Sequence, residues 1–207
     1  MRRRVLPLVV GAVLALVPGV ASAADKPASP AQAVVGSART ATAEVQLPDG
    51  RSAMVSLRQY TGGGPDRVWS EIELEVECEG WRSCEDGGST VTDLAEGQLV
   101  FNPGLASASV ANVPVVLHGF SGTRPYPHVD IPVTISVRFD GVGGISRRAE
   151  HSTQCGVEDA RCQSVSVEGA RAAKVSLSLQ GLSAGSVTGV GTGSLSTGTY
   201  RVVGAHR

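Results

Sequence analysis

Aromatic residues are scarce in this 207-residue chain, at 4% of positions, with two Trp, three Tyr and three Phe. Any hydrophobic core must therefore consist mainly of Val, Leu, Ile and Ala. Basic clusters are also missing beyond the first few residues, and the net charge of the whole chain is −1. Because nucleic-acid binding requires clustered Lys and Arg to neutralise phosphates, the composition argues against a nucleic-acid partner.

Long hydrophobic runs are absent too, apart from a short one near the N-terminus. Residues 2–4 are arginines, an apolar stretch follows at 5–17, and 21–23 read Ala-Ser-Ala, which fits the cleavage rule of a secretory signal. The apolar stretch of about 13 residues is shorter than the roughly 20 needed to span a bilayer. We therefore predict a signal peptide at 1–23, exported by the general secretory or the twin-arginine route. The expected product is secreted and extracellular, with no membrane span after cleavage.

Four cysteines downstream of the predicted signal fit an oxidising compartment. Five residues separate Cys78 from Cys84, and six separate Cys155 from Cys162. Among the three possible pairings we favour the two local disulfides, Cys78–Cys84 and Cys155–Cys162. Cysteine pairs in structural zinc sites are usually roughly two to four residues apart, so we predict no metal and no cofactor.

Alternation of apolar and polar residues is the main signal of secondary structure. The segment 24–40 has no periodicity and contains Ala, Pro and Ser, which predicts a flexible leader. From residue 41 onward the dominant period is two, most clearly at 68–78, and glycine-rich turns separate the alternating runs. No helix of ten or more residues is expected. Short alternating strands with frequent turns predict an all-β antiparallel sandwich.

A weak internal repeat has an offset of 77 residues. Gly, Leu, Ser and two Val of 104–113 recur at matching positions of 181–190, and the first cysteine of each pair matches at the same offset. We infer a duplication into two β-sandwich halves, 41–123 and 124–207, each with its own cysteine pair, which is why local disulfides are favoured. Halves of about 80 residues are small for independent sandwiches, so they either share one core or form two.

Residues 181–200 resemble the opening strands of bacterial immunoglobulin-like domains. The segment begins Gly-Leu-Ser-Ala-Gly-Ser-Val and ends Gly-Thr-Tyr, and it is similar to the start of the neocarzinostatin-type chromophore carriers. Those carriers are secreted sandwiches with two short-range disulfides, so the resemblance implies an immunoglobulin-like sandwich here. It covers about 20 residues and carries over no ligand-binding residue.

An acidic ladder is the most distinctive feature of the sequence. It consists of Glu71, Glu73, Glu75, Glu77 and Glu79. These glutamates alternate with apolar residues and are about 6.6 Å apart along one strand face, so a linear row of them cannot surround a calcium ion. The ladder is either a solvated face paired with Arg58 and Arg138 or a surface for a cationic partner. Trp69 shares its face and Trp81 lies in the first cysteine loop; each either stacks on a sugar ring or covers the core.

We predict no catalytic residues. Residues 115–122 contain His118 and Gly119 in a context that looks like the oxyanion-hole strand of α/β-hydrolases, but the Gly-x-Ser-x-Gly motif that this fold requires does not follow. His118, His128 and Asp130 have the residue types of a metal or acid–base set. Prolines surround His128 and Asp130, which favours an exposed linker or an edge crossing between the halves instead.

The sequence therefore favours a secreted, non-enzymatic β-sandwich that acts as an extracellular or cell-envelope-associated binding or structural module. Its partner is an unknown extracellular ligand or cell-envelope component. The alternatives are a secreted hydrolase on the same scaffold, whose catalytic groups would come from distant loops, and an inhibitor of secreted proteases that presents the cysteine loops.

Overall fold

Nine antiparallel strands contain most of the residues that the structure describes. The computed structural model describes residues 32–62, 68–78, 84–120, 127–152 and 161–205. The strands are β1 Gln32–Gln46, β2 Ser52–Gly62, β3 Val68–Val76, β4 Cys84–Asp93, β5 Val100–Phe101, β6 Ser107–Phe120, β7 His128–Ser152, β8 Arg161–Leu182 and β9 Gly185–Ala205. A single 3-10 turn, Pro103–Leu105, is the only helical element within these ranges. The prediction of an all-β chain is confirmed.

The strands form one sheet whose two ends meet. Their order is β4-β3-β2-β1-β9-β8-β7-β6-β5, and β4 pairs in addition with β6, which closes the sheet on itself. The predicted immunoglobulin-like sandwich of two packed sheets is not confirmed. Alternation shows that each strand has one buried face, but a second sheet and the curved continuation of the same sheet bury that face equally well.

One hydrophobic core occupies the inside of the closed sheet. It is mostly aliphatic, as the shortage of aromatic residues requires, and both predicted halves, 41–123 and 124–207, contribute to it. Its largest fully buried side chains include Phe139, Leu57, Ile72, Leu74, Leu117 and Ile135. Within the described ranges no helix is long and apolar enough to cross a bilayer.

The predicted internal duplication is not confirmed. In the first half, β2 and β3 are separate neighbours that pair antiparallel. The segments that the repeat aligns with them, near 132–153, lie almost entirely within the single strand β7. A shared pattern of Gly, Ser and Val indicates turns and alternating strands. Two segments can share these features although their strands are connected differently.

Residues 32–40 belong to β1, although the sequence predicted a flexible leader over 24–40. This part of β1 pairs with β9 along its whole length and with β2 from Gly36 onward. Hydrogen bonds to strands on both sides order a segment whose own composition has no strong β preference. The rest of the leader, 24–31, and the predicted signal at 1–23 lie outside the described residues.

Glycines permit the close approach of β4 and β6 where the sheet closes. Gly88 has a φ of +129°, a conformation that residues with side chains rarely adopt. A Cβ atom at Gly88 would collide with the backbone carbonyl of His118, and one at Gly119 would collide with the carbonyl oxygen of Cys84. The pairing of these two strands therefore depends on the absence of side chains there.

Replacing Gly119 by alanine should weaken the closure of the sheet. The added methyl group has no space in the backbone contact between β4 and β6, and we expect a loss of about 2 kcal/mol in the free energy of unfolding. Urea denaturation measures this loss. Gly144→Ala is the matched control, because a Cβ atom there meets nothing within 4 Å. Equal stability of the two variants would contradict the proposed role of Gly119.

Candidate functional site

A groove of about 580 Å³ lies on the surface beside the line where the sheet closes. Its wall combines apolar side chains, among them Met54, Val76 and Phe120, with six polar or charged ones, which are Glu44, Ser52, Glu75, Glu77, Ser89 and His118. Concave sites with a few convergent polar groups are the usual places for ligand binding. The groove is therefore the candidate functional site of the described chain.

A row of directly opposed residues crosses the groove from β1 to β7. In order across the sheet it contains Glu44, Met54, Glu75, Ser89, His118 and Asp130. The neighbours of these residues along each strand, such as Val45, Leu74 and Leu117, are fully buried. Successive side chains of a strand point to opposite faces, so the whole row lies on the outer face of the sheet.

Three carboxylates give the groove its negative charge. Glu77 accepts hydrogen bonds from the backbone N–H of Ser52 at 3.0 Å and from its hydroxyl at 3.2 Å. Glu44 and Glu75 are exposed and have no ion pair or side-chain hydrogen bond with the described part of the chain. Glu77 directly follows β3 and is about 6.6 Å from Glu75 along the chain. This distance is within the screening length of physiological salt, so their fields reinforce each other. Glu79, the last glutamate of the ladder, lies outside the described residues.

Two other glutamates of the acidic ladder form ion pairs with one arginine. Arg58 donates to Glu71 at 2.9 Å and to Glu73 at 2.6 Å, and Glu71 is only 5% exposed. Burial of the guanidinium opposes its charge, but the hydrogen bond to Glu71 and the charges of both glutamates prevail and raise the pKa of Arg58. Glu71 and Glu73 thus stabilise the sheet, while Glu75 and Glu77 face the groove.

Arg138 does not meet the ladder. It lies on β7, away from β3 in the strand order, and pairs with Asp140 at 2.8 Å on its own strand. Sequence patterns placed both arginines opposite the glutamates because they show which residues share a face. They do not show which strands are neighbours, and that decides the pairing.

His118 and Asp130 form a hydrogen-bonded pair at the edge of the groove. The His118 Nδ1 and Asp130 Oδ1 atoms are 2.9 Å apart, and both side chains are more than half exposed. His128 and Asp130 lie in β7, so of the two predicted places, a linker or an edge crossing, the linker is wrong. β8 pairs with β7 only from Thr134 onward, which leaves Pro132 at a free edge, where proline is tolerated. Among the described residues no cluster of three His, Cys, Asp or Glu could hold a metal ion.

The first predicted disulfide is confirmed and borders the groove. Cys78 and Cys84 are bonded, with Cα atoms 4.8 Å apart, and both contribute to its wall. Trp81, in the loop between them, lies outside the described residues. So does Cys155, and therefore the predicted Cys155–Cys162 pair stays a prediction.

A buried arginine holds the chain together beside the groove. Arg51 is 6% exposed and pairs with Asp49 at 2.7 Å and with Asp86 at 3.1 Å. The side-chain hydrogen bond from Arg51 lowers the pKa of Asp49 below its ordinary value. Asp86 also accepts the backbone N–H of Ser183 at 2.5 Å, so this cluster joins the β1–β2 turn, β4 and the β8–β9 turn. It positions Ser52, the partner of Glu77.

Trp69 lies on the outer face as its parity predicted, but far from the groove. It stacks on Tyr60 with ring centroids 5.2 Å apart and is 47% exposed. Glu75 is six positions further along β3, a distance of about 20 Å. The predicted binding residues therefore fall into three groups: Glu71 and Glu73 in an ion-pair network, Glu75 and Glu77 at the groove, and Trp69 elsewhere.

Sequence reasoning missed Glu44, Met54 and Ser89 as residues of the site. The alternation around Glu44 and Met54 does place them on the outer face, which was an available signal. Their convergence with Glu75 follows from the register of β1, β2 and β3. Ser89 meets His118 only because β4 pairs with β6, and no local pattern of the sequence encodes that pairing.

Replacing Arg58 by leucine should destabilise the fold, because it leaves the buried carboxylate of Glu71 without its hydrogen-bond donor. We expect a loss of about 2 kcal/mol in the free energy of unfolding, measured by urea denaturation at pH 7. Arg138→Leu removes an exposed pair instead and serves as the control, with no measurable change expected. Unchanged stability in Arg58→Leu would show that the network does not support the sheet.

Comparison of the chain with models of protein families, with curated proteins and with solved structures finds no match. No relative therefore supplies a substrate, a partner or a catalytic residue. Function is inferred from the side chains of the groove and their geometry.

Proposed function

We propose that the protein is a secreted, non-enzymatic binding module of the extracellular space or cell envelope, which binds a cationic group in the groove. The observation that carries this proposal is the pair Glu44 and Glu75, which lie on either side of Met54 and have no partner in the described chain. The predicted signal peptide at 1–23 is part of the proposal. The Cys78–Cys84 disulfide supports it, since such bonds persist in oxidising compartments.

The ligand group that fits is an ammonium or guanidinium on an apolar stem. Met54 is 44% exposed between the two carboxylates and offers an apolar contact to such a stem. Exposed ion pairs contribute at most about 1 kcal/mol each. The affinity therefore has to come from several contacts along a polymeric ligand. Binding of a basic polymer or peptide to this groove is therefore expected to be modest and strongly weakened by salt.

The binding test uses a fluorescently labelled oligolysine peptide and the purified full chain, measured by anisotropy at low and high salt. The double variant Glu44→Gln/Glu75→Gln should bind roughly tenfold more weakly, because two carboxylates are lost. Glu96→Gln/Glu168→Gln makes the same charge change at exposed positions away from the groove and should bind almost as the wild type does. Equal losses in both double variants, or binding that salt does not weaken, would refute the groove as the site.

The same proteins are then sedimented with cell walls of the producing organism at low and high salt. Binding that salt removes, and that Glu44→Gln/Glu75→Gln lacks, supports a partner in the envelope. A wild type that stays in solution under both conditions overturns the envelope assignment, while oligolysine binding continues to report on the groove itself.

One observation favours a second function, that of a secreted hydrolase. Ser89, His118 and Asp130 are consecutive in the row of opposed residues that crosses the groove. Their residue types are those of a nucleophile, a base and a carboxylate that orients the base. Because Asp130 accepts a hydrogen bond from Nδ1 of His118, Nε2 is the basic nitrogen of the neutral ring. The register places Ser89 opposite this histidine, although no hydrogen bond joins the two.

The charge of the groove weighs against hydrolysis. Glu75 lies directly opposite Ser89 on the other side, and its carboxylate opposes the negative charge that develops on an oxyanion. An esterase would place hydrogen-bond donors there instead. The non-enzymatic function is therefore the one that the geometry supports better.

Activity toward p-nitrophenyl acetate distinguishes the two functions. We expect the wild type and Ser89→Ala to release p-nitrophenolate at the same slow rate, since exposed histidines give a background that does not depend on the serine. Turnover that disappears in Ser89→Ala and falls steeply in Asp130→Asn would establish the hydrolase and overturn the non-enzymatic proposal.

A further inference from the structure

Three aromatic side chains are exposed in line across β9, β1, β2 and β3. They are Tyr200, Tyr60 and Trp69, with exposed fractions of 43%, 37% and 47%. Tyr60 lies directly opposite Trp69, while Tyr200 lies opposite Gly36, which in turn faces Gly62, two residues beyond Tyr60. All three point to the outer face, and we call them the aromatic strip. A chain with only eight aromatic residues thus exposes three of them side by side.

Small residues form the floor of the strip. A Cβ atom at Gly36 would collide with the ring of Tyr200, and one at Gly62 would lie 3.3 Å from the Tyr200 hydroxyl. The Tyr200 ring therefore lies flat across β1 and points toward β2. Ala38 is opposite both Tyr60 and Gly198, so no large side chain interrupts the surface between the rings.

The rings are held in place before any ligand arrives. Nε1 of Trp69 donates a hydrogen bond to Oδ1 of Asp93 at 2.8 Å, and the indole stacks on Tyr60 with an angle of 21° between the planes. Fixed rotamers reduce the entropy lost on binding. The second oxygen of Asp93 remains available to accept a hydrogen bond beside the indole.

The charges beside the strip select against polyanions. Among the described residues, Asp93, Glu71 and Glu73 lie near its Trp69 end, and the guanidinium of Arg58 pairs with both glutamates. This excess of carboxylates repels phosphate- or sulfate-bearing polymers and tolerates neutral ones. A neutral ligand also matches rings that offer apolar faces and hydroxyl edges.

The size of the strip excludes a stable protein interface. Three partly exposed aromatic side chains offer on the order of 250 Å², whereas a stable interface buries roughly 800 Å² on each partner. The strip crosses three strand spacings, or about 14 Å, which is long enough for more than one ring of an extended sugar chain. Sugar rings present flat C–H faces to aromatic rings and hydroxyls to the groups around them.

We propose that the aromatic strip binds a neutral polysaccharide chain, with sugar rings stacked on Trp69, Tyr60 and Tyr200. The strip lies about 20 Å from the groove along β3, and it shares no residue with it. This inference therefore does not rest on the function proposed for the groove, and either one can fail without the other.

Binding is measured by depletion of the full chain from solution over insoluble cellulose and chitin, with calcium alginate beads as the polyanionic comparison. The wild type should bind at least one of the neutral polymers and should not bind alginate. Trp69→Ala and Tyr200→Ala should each weaken binding about tenfold, the loss of one stacking contact. Val190→Ala, which trims a side chain that is 77% exposed outside the strip, should leave binding unchanged.

Gly36→Ala tests the geometry without removing a ring. Its methyl group displaces the flexible Tyr200 side chain from the floor, so binding should fall as in Tyr200→Ala, with urea denaturation showing a folded protein. The proposal is overturned if the wild type binds neither neutral polymer, if it binds alginate as well as these, or if the aromatic variants bind like Val190→Ala. Full binding by Gly36→Ala would also overturn it, because the strip would then have no required shape.

Discussion

The backbone contact between β4 and β6 is the constraint on which the rest of the structure depends. Gly88 and Gly119 allow these strands to approach, and their pairing turns an open sheet into a closed one. Closure gives the aliphatic side chains of seven strands a common interior, which compensates for the shortage of aromatic residues. It also brings His118 to the same groove as Ser89 and Glu75, so the candidate site exists in this form because the sheet closes.

The sequence predicted the faces of the strands well and their neighbours poorly. The burial of Ile72 and Leu74, the outward position of Trp69 and the Cys78–Cys84 bond follow from alternation and spacing, which are local properties. The order of strands decides the ion pairs instead. It brings Arg58 to Glu71 and Glu73, and it keeps Arg138 away from both. That order is set by contacts between distant segments. A repeat of Gly, Ser and Val does not reveal it, because such a repeat marks turns in any arrangement of strands.

The two proposed sites divide the outer face by charge and shape. At one end three carboxylates lie along a groove, and two of them have no ion pair or side-chain hydrogen bond with the described residues. At the other end the Tyr200 ring lies flat over two glycines, and Arg58 partly neutralises the nearby carboxylates. Between them the same strand, β3, carries an ion-pair network that serves stability. A polymer with neutral rings and occasional amino groups would fit both ends at once, and simultaneous contact would raise its affinity above that of either site.

The pairing of β1 with β9 has a consequence for folding during synthesis. These strands stand at opposite ends of the sequence, yet they pair over fifteen positions, Gln32 to Gln46 against Gly204 to Val190. Every other strand has its partners nearby in the chain, whereas one edge of β1 must wait until β9 has been synthesised. Until then a long row of backbone N–H and C=O groups is unpaired, and such edges invite association with other chains. A truncation of β9 would therefore harm the fold far more than the loss of a surface loop.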